Sequence, residues 1–234
     1  MLGQGGGKMI PLGYESAKAV VNAGRQAFFG SAKADLPSGR SPVLQKDDLA
    51  PQFGYVGSRY SNARVLILGI NPGNGPRDDV RTPEDEMMMP ALHRFAAKPS
   101  PQNFEAATKA YEIQCQRWHV WTHYCAEVIG AGRLSLEDIA YSNCLPWRTG
   151  SESNFNEFVA RKAVALYAFP LIAELNATLV IALGKRAGQI LRSVSRKLPQ
   201  VIVWNRARAA TAAVKQERAA SAAALFKALG HWPR

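Results

Sequence analysis

The sequence predicts an α/β fold in which helices cover both faces of a four-stranded, mainly parallel sheet, giving three α/β/α layers. Short, almost continuous apolar runs alternate along the chain with longer segments of helical periodicity. The apolar runs lack in–out alternation, which is typical of parallel strands buried on both faces. The 234 residues are enough for one good core, so we expect a single structural domain.

The N-terminal part precedes the sheet. Residues 16–29 have the spacing of an amphipathic helix, and residues 31–60 are rich in Pro, Gly, Ser and charge. We expect the second segment to wrap the body as a long loop. The chain is therefore divided into an N-terminal helix and wrapping loop over residues 1–53 and the sheet-containing part over 54–234.

Four apolar runs are the predicted strands, and the segments between them are predicted helices. The strands are residues 64–69, 138–144, 178–183 and 201–204. The helices are residues 87–97, 101–129 with Pro101 in the first turn, 155–169 with a kink expected at Pro170, 185–198, and the Ala-rich 211–229.

Positive charge is concentrated near the end of the chain. The formal net charge is +11, and from Lys185 onward eleven Lys and Arg accompany one acid, Glu217. Such a field favours a polyanionic partner, with nucleic acid as the first candidate, and the alternative is a soluble protein with a basic tail. No apolar run is long enough to cross a bilayer, so we expect no membrane association.

Several common sites are disfavoured by the sequence. Cys115, Cys125 and Cys144 form no CxxC pair and are expected to be reduced. Together with a first segment, MLGQGGGK, that lacks an apolar signal core, they predict a cytoplasmic protein. His119 and His123 have the spacing of a helical metal pair but no third ligand is evident, so a structural role is favoured over a metal site.

Polar residues follow all four predicted strands. They are Gly69-Ile70-Asn71-Pro72-Gly73, Ser142-Asn143-Cys144, Gly184-Lys185-Arg186 and Asn205-Arg206-Ala207-Arg208. The carboxyl ends of parallel strands meet at one edge of a sheet, so these residues are expected to surround one crevice. The first set is not a dinucleotide loop, because the run GNGPRD at 73–78 lacks the third glycine.

The same four segments resemble, in order, the motifs of the uracil-DNA glycosylase superfamily. GINPG at 69–73 is similar to the first motif in its Asn version, as in the mismatch-specific, thymine-DNA and single-strand-selective uracil glycosylases. IAYSNCLPW at 139–147 resembles the middle motif, and LVIALGKRAGQIL at 179–191 the third strand and its helix. VIVWNRARAATAAV at 201–214 occupies the place of the final motif, although the usual His and Pro-Ser are absent. The resemblance covers about residues 54–229.

The resemblance implies a monofunctional, monomeric glycosylase of base excision repair. It would flip uracil, and possibly another deaminated base, out of DNA and hydrolyse the N-glycosidic bond with water, leaving an abasic site. The implied partner is DNA containing uracil or abasic sites, with nucleoid association when bound. No metal or organic cofactor is implied. The departures in the motifs leave two alternatives: a non-catalytic or slow binder of such DNA, and a hydrolase of nucleosides or nucleotides.

The motif positions imply roles for individual residues. The implied catalytic residues are Asn71, which would hold the water, Asn205, which aligns with the usual His, and Arg206. Either Arg206 or Arg208 could do what that His does. Asn143 would read uracil, within a pocket formed with Gly69, Ile70 and Gly73. The candidates for DNA phosphates are Lys185, Arg186, Arg192, Arg206 and Arg208. For the aromatic ring that stacks on the base, Phe95, Trp147 and Tyr55 remain open.

Overall fold

The structure is a computed structural model that describes residues 10–29, 50–72, 83–147, 157–193, 197–207 and 211–230. All elements named below lie within these ranges. No helix in them has both the length and the apolar character needed to cross a membrane.

The centre of the fold is a mixed sheet of five strands. In chain order these are β1 (Tyr55–Val56), β2 (Val65–Gly69), β3 (Ile139–Asn143), β4 (Leu179–Leu183) and β5 (Gln200–Trp204). Their order in space is β1-β3-β2-β4-β5. β3, β2, β4 and β5 are parallel, whereas β1 runs antiparallel to β3 at the edge.

The four predicted strands are confirmed to within one residue at either end, but the total of four is wrong. The additional strand, β1, has two residues, of which Tyr55 pairs with Tyr141 of β3. Two residues are too few to produce a periodic pattern, and they lie within the polar segment assigned as a loop. The fifth strand therefore depends on tertiary pairing with β3.

Ten α-helices occur in the described part of the chain. They are α1 (Tyr14–Ala23), α2 (Gln26–Phe29), α3 (Tyr60–Ala63), α4 (Pro83–Ala97), α5 (Pro101–Cys115), α6 (Ala126–Gly132), α7 (Glu157–Ala163), α8 (Phe169–Glu174), α9 (Lys185–Arg192) and α10 (Ala212–Ala228). A π-helical turn over Val120–Cys125 precedes α6, and a second over Val164–Ala168 joins α7 to α8.

Three predicted helices are interrupted. Gly24, with φ of 69° and ψ of 169°, separates α1 from α2, because a positive φ cannot continue a right-handed helix and is readily adopted by glycine. The predicted helix over 101–129 is divided into α5, the first π-helical turn and α6. Near Pro170, where a kink was expected, the second π-helical turn ends at Ala168 and α8 begins at Phe169. Proline lacks the N–H of a regular helix, and a wider turn is one way to accommodate that loss.

The core lies on both faces of the sheet. β2, β3 and β4 are buried throughout. On one face the hydroxyl of Ser142 donates to the carbonyl of Phe53 at 2.9 Å, as does that of Tyr167 at 3.0 Å. These two hydroxyls and the carbonyl are thereby paired, and the segment before β1 is fixed against β3.

α9 packs closely on β5 through a glycine. A Cβ placed on Gly188 would lie 2.4 Å from Cγ2 of Val203, whereas a Cβ on Gly130 of α6 would meet no atom within 4 Å. Valine is stiff about χ1, so its methyl group cannot easily move aside. The absence of a side chain at position 188 therefore sets the distance between helix and sheet.

These two helical glycines give a matched test of the packing. We expect Gly130→Ala to raise the free energy of unfolding by up to about 1 kcal/mol, because alanine favours helix. Gly188→Ala should instead lower it by about 1–3 kcal/mol, because the methyl group overpacks the contact with Val203. Urea unfolding of both variants measures the difference. Equal stability of the two variants would contradict the close packing.

Candidate functional site

The ends of β2 and β3 form the centre of the candidate site. Gly69 pairs with Asn143 in the parallel ladder, and the pairing continues beyond the strands. The amide of Cys144 donates to the carbonyl of Gly69, and that of Leu145 donates to the carbonyl of Ile70, both at 2.9 Å. The first two predicted polar segments therefore lie side by side.

The side chain of Asn143 lies over Gly69. A Cβ on Gly69 would come within 2.3 Å of Asn143 Oδ1 and 3.5 Å of the Tyr141 hydroxyl. Asn143 is 1% exposed, and its Nδ2 has no hydrogen-bond partner within the described ranges. Leaving a buried donor unpaired costs about 1–3 kcal/mol. A ligand that supplies an acceptor to this Nδ2 would remove that cost, which favours its binding.

Arg206 brings a positive charge towards this centre. Its guanidinium carbon is 5.6 Å from the ring centroid of Tyr124, and its Nε is buried without a partner among the described residues. Burial raises the pKa of the Tyr141 phenol and of the Cys125 thiol, and the Arg206 charge opposes both increases. The Arg206 charge therefore acts on the phenol of Tyr141, whose hydroxyl lies beside Gly69.

Asn205 is held in a loop contact. Its Oδ1 accepts from the amide of Ala207 at 2.8 Å, and its Nδ2 donates to Glu217 of α10. Glu217 also forms an ion pair with Lys185 at 2.9 Å. Hydrogen bonds to the Glu217 carboxyl, the strongest from Lys185 and the next from Asn205, hold its pKa below the usual value. The structure thus places Asn205, predicted to be catalytic, where it fixes the loop.

The predicted phosphate-binding residues are divided between two edges of the sheet. Lys185 and Arg186 begin α9 at the carboxyl edge, whereas Arg192 ends this helix. α9 must return the chain to the amino edge, because β5 is parallel to β4. Arg192 therefore lies away from the strand ends, and its contact with DNA phosphates stays a prediction. Helical periodicity alone does not show which end of a helix faces a site.

The other predicted site residues have varied surroundings. Ile70 is buried, and Asn71 is partly buried, with its Nδ2 donating to the carbonyl of Pro72 at 3.3 Å. Gly73 and Arg208 lie outside the described residues. The three open aromatic candidates are at most 5% exposed and pack against other rings: Phe95 against Phe53, Trp147 against Phe28, and Tyr55 against Trp121.

One thiol and two imidazole groups are the further reactive side chains considered for the site. Burial raises the pKa of the Cys144 thiol to about 12, which keeps it neutral and poorly nucleophilic. The imidazole centroids of His119 and His123 are 3.9 Å apart. Within the described part of the chain, no group of three His, Cys, Asp or Glu side chains could hold a metal ion.

Residues not singled out from the sequence surround the loop that follows β5. Tyr124, Glu127 and Arg218 line an open cavity of about 390 Å³ beside Ala207. Tyr141 also belongs to the surroundings of the site, because its hydroxyl lies beside Gly69. Arg218 had no signal that set it apart from the other basic residues. Its neighbour Glu217 did, as the single acid in a strongly basic segment.

The sequence matches no model of a known protein family, and it has no significant match among curated proteins. What the site does must therefore be inferred from its own geometry and chemistry.

Proposed function

We propose that this protein is a DNA glycosylase that removes uracil from DNA. The observation that carries the proposal is the buried Asn143 amide, which lies over Gly69 and whose Nδ2 has no hydrogen-bond partner among the described residues. In the proposed three-layer α/β/α fold these residues lie at the carboxyl edge of the sheet, where ligands of such folds bind.

An asparagine amide in this place can distinguish uracil from cytosine. Its Oδ1 would accept from N3–H of uracil, and its Nδ2 would donate to O4, which gives the unpaired donor a partner. Cytosine presents a lone pair at N3 and an amino group at C4. The cytosine lone pair would therefore face the Asn143 oxygen, and its amino group would face the Asn143 NH2. Both pairs leave buried polar atoms without a hydrogen bond, which disfavours the binding of cytosine.

The proposed reaction is hydrolysis of the bond between C1′ of deoxyribose and N1 of uracil. The C1′–N1 electron pair leaves with uracil, water oxygen bonds to C1′, and the proton lost by the water balances the charge of the uracil anion. An amide is too weak a base to deprotonate water. Asn71 would hold the water in position, so electrostatic stabilisation of the leaving group must supply most of the rate.

Arg206 is the group proposed to stabilise that leaving group. Its charge opposes the increase that burial causes in the pKa of the Tyr141 phenol, and its Nε has no partner in the part of the chain that is described. A fixed cation that faces developing negative charge stabilises the transition state more than the ground state. Removing such a group typically slows the chemical step by about 100- to 1000-fold.

DNA is the proposed partner because the charge is too extended for a small substrate. The net charge of +11 is concentrated in the segment that supplies Lys185, Arg186 and Arg206. Uracil must leave the base stack to reach a buried amide, and contacts to the DNA backbone would offset the cost of flipping. We propose that a monomer acts in the cytoplasm, on DNA of the nucleoid.

A binding protein without turnover is the second candidate, and one observation favours it. Both polar atoms of the Asn205 amide are used within the loop and by Glu217. Within the described residues, this loop then offers the uracil only Arg206. If Arg206 alone does not stabilise the leaving group sufficiently, the same site would hold uracil-containing or abasic DNA unchanged.

An alkali-cleavage assay tests the proposed function. End-labelled DNA with one uracil, single- or double-stranded, should be cleaved at that position after incubation with the protein and treatment with alkali. Asn71→Ala should abolish or strongly slow this cleavage, because the water is no longer held. A gel shift without cleavage would favour the binding protein, and the absence of both would end the uracil hypothesis.

Asn143→Asp tests base recognition. The carboxylate cannot donate to O4 and repels it, so we expect uracil excision to slow by about 100-fold or more. Asn176→Asp is the matched control, because this exposed asparagine undergoes the same change just before β4, at the amino edge of the sheet. Single-turnover rates measure both variants. An undiminished rate in Asn143→Asp would refute the proposal that Asn143 recognises uracil.

Two arginines of one helix test the position of the DNA. Arg186→Ala should weaken DNA binding and reduce the slope of log affinity against log salt by about 0.7–0.9, the value for one phosphate contact. Arg192→Ala removes the same charge at the opposite edge and should have the smaller effect. Fluorescence anisotropy across a salt series measures both. A larger loss in Arg192→Ala would place the DNA elsewhere.

A further inference from the structure

The geometry points to Arg218 as a positioning residue that holds Arg206 in place for catalysis. The inference rests on the proposed function, in which Arg206 faces the leaving uracil. Arg218 belongs to α10 and exposes 22% of its side chain.

Arg218 binds the loop on both sides of Arg206. Its Nε donates to the carbonyl of Asn205, and its Nη2 donates to the carbonyl of Ala207, both at 3.0 Å. These two residues flank Arg206 directly in the chain. The planar guanidinium holds its donors in a fixed relation, so the two bonds together restrict the backbone at Arg206.

The remaining side of the same guanidinium is tied to the sheet. Nη1 of Arg218 donates to Glu127 Oε1 at 3.0 Å, and the indole N–H of Trp204 donates to Glu127 Oε2 at 3.1 Å. Trp204 is the last residue of β5 and is 2% exposed. Through Glu127, Arg218 therefore fixes the loop relative to a buried point of the core.

The aromatic ring of Tyr124 lies against both arginines. The guanidinium carbons of Arg206 and Arg218 are 5.6 Å and 5.4 Å from its centroid. The π-electrons of an aromatic face attract cations, which offsets part of the repulsion between two like charges. The position of the Arg206 side chain thus depends on Tyr124, while that of its backbone depends on Arg218.

Such a role separates Arg218 from a residue that only contributes stability. A displacement of about 1 Å in a group that stabilises a transition state can slow a reaction by about 100-fold. If Arg218 acts only through Arg206, its replacement has no further effect once the Arg206 side chain is gone. Two residues that act as one unit are non-additive in this way.

The test compares Arg218→Lys, which keeps the charge but loses the planar fork, with Arg206→Ala and the double variant. Lys215→Ala is the control, because Lys215 is an exposed cation on the same helix. With enzyme in excess over uracil-containing DNA, Arg218→Lys should slow excision by about 10- to 100-fold. The double variant should be no slower than Arg206→Ala, and Lys215→Ala should match the wild type. The dissociation constants for DNA of Arg218→Lys and Lys215→Ala should agree.

Amide hydrogen exchange over residues 204–207 gives a readout that needs no activity. It should be faster in Arg218→Lys than in Lys215→Ala, and unchanged exchange would overturn the inference. An unchanged rate in Arg218→Lys, or an additive loss in the double variant, would also overturn it while leaving the proposed function intact. A wild-type protein that excises no uracil would overturn the proposed function, and with it the catalytic part of this inference.

Discussion

The parallel pairing of β2 with β3 brings the last residue of each strand to the same level, so that Gly69 lies beside Asn143. Any side chain at position 69 would occupy the space of the Asn143 amide. The amide can therefore be buried at the end of the sheet only because its neighbour is glycine. The buried Tyr141 hydroxyl lies beside the same contact, and the Asn143 Nδ2 has no hydrogen-bond partner among the described residues.

Much of this arrangement was predictable because it depends on local patterns. A run such as Val65–Gly69 is apolar on both faces, which indicates a central parallel strand, and the polar residues after it then belong to the carboxyl edge. Those rules brought Gly69 and Asn143 together without any tertiary information. They do not describe β1, whose two residues acquire their conformation by pairing with β3.

The unpredicted parts depend on which side chains meet across long separations in the chain. Nothing in the sequence distinguishes Arg218 from Arg192, yet one binds the loop after β5 and the other lies at the far edge of the sheet. The same holds for Asn205, which follows a strand as Asn143 does but bonds to Glu217. The position of a polar residue at a strand end is thus predictable, whereas its hydrogen-bond partner is not.

The two-residue strand β1 also has a consequence for the behaviour of the protein at high concentration. An uncovered edge of a sheet exposes a row of free amides and carbonyls, which can recruit a strand from another molecule. β1 pairs with part of β3, and Gly54 lies so close to the carbonyl of Tyr141 that a Cβ there would be 1.8 Å from the oxygen. This edge is thereby capped by the protein's own backbone. Little backbone of β3 is therefore left free at this edge to pair with a strand of another molecule.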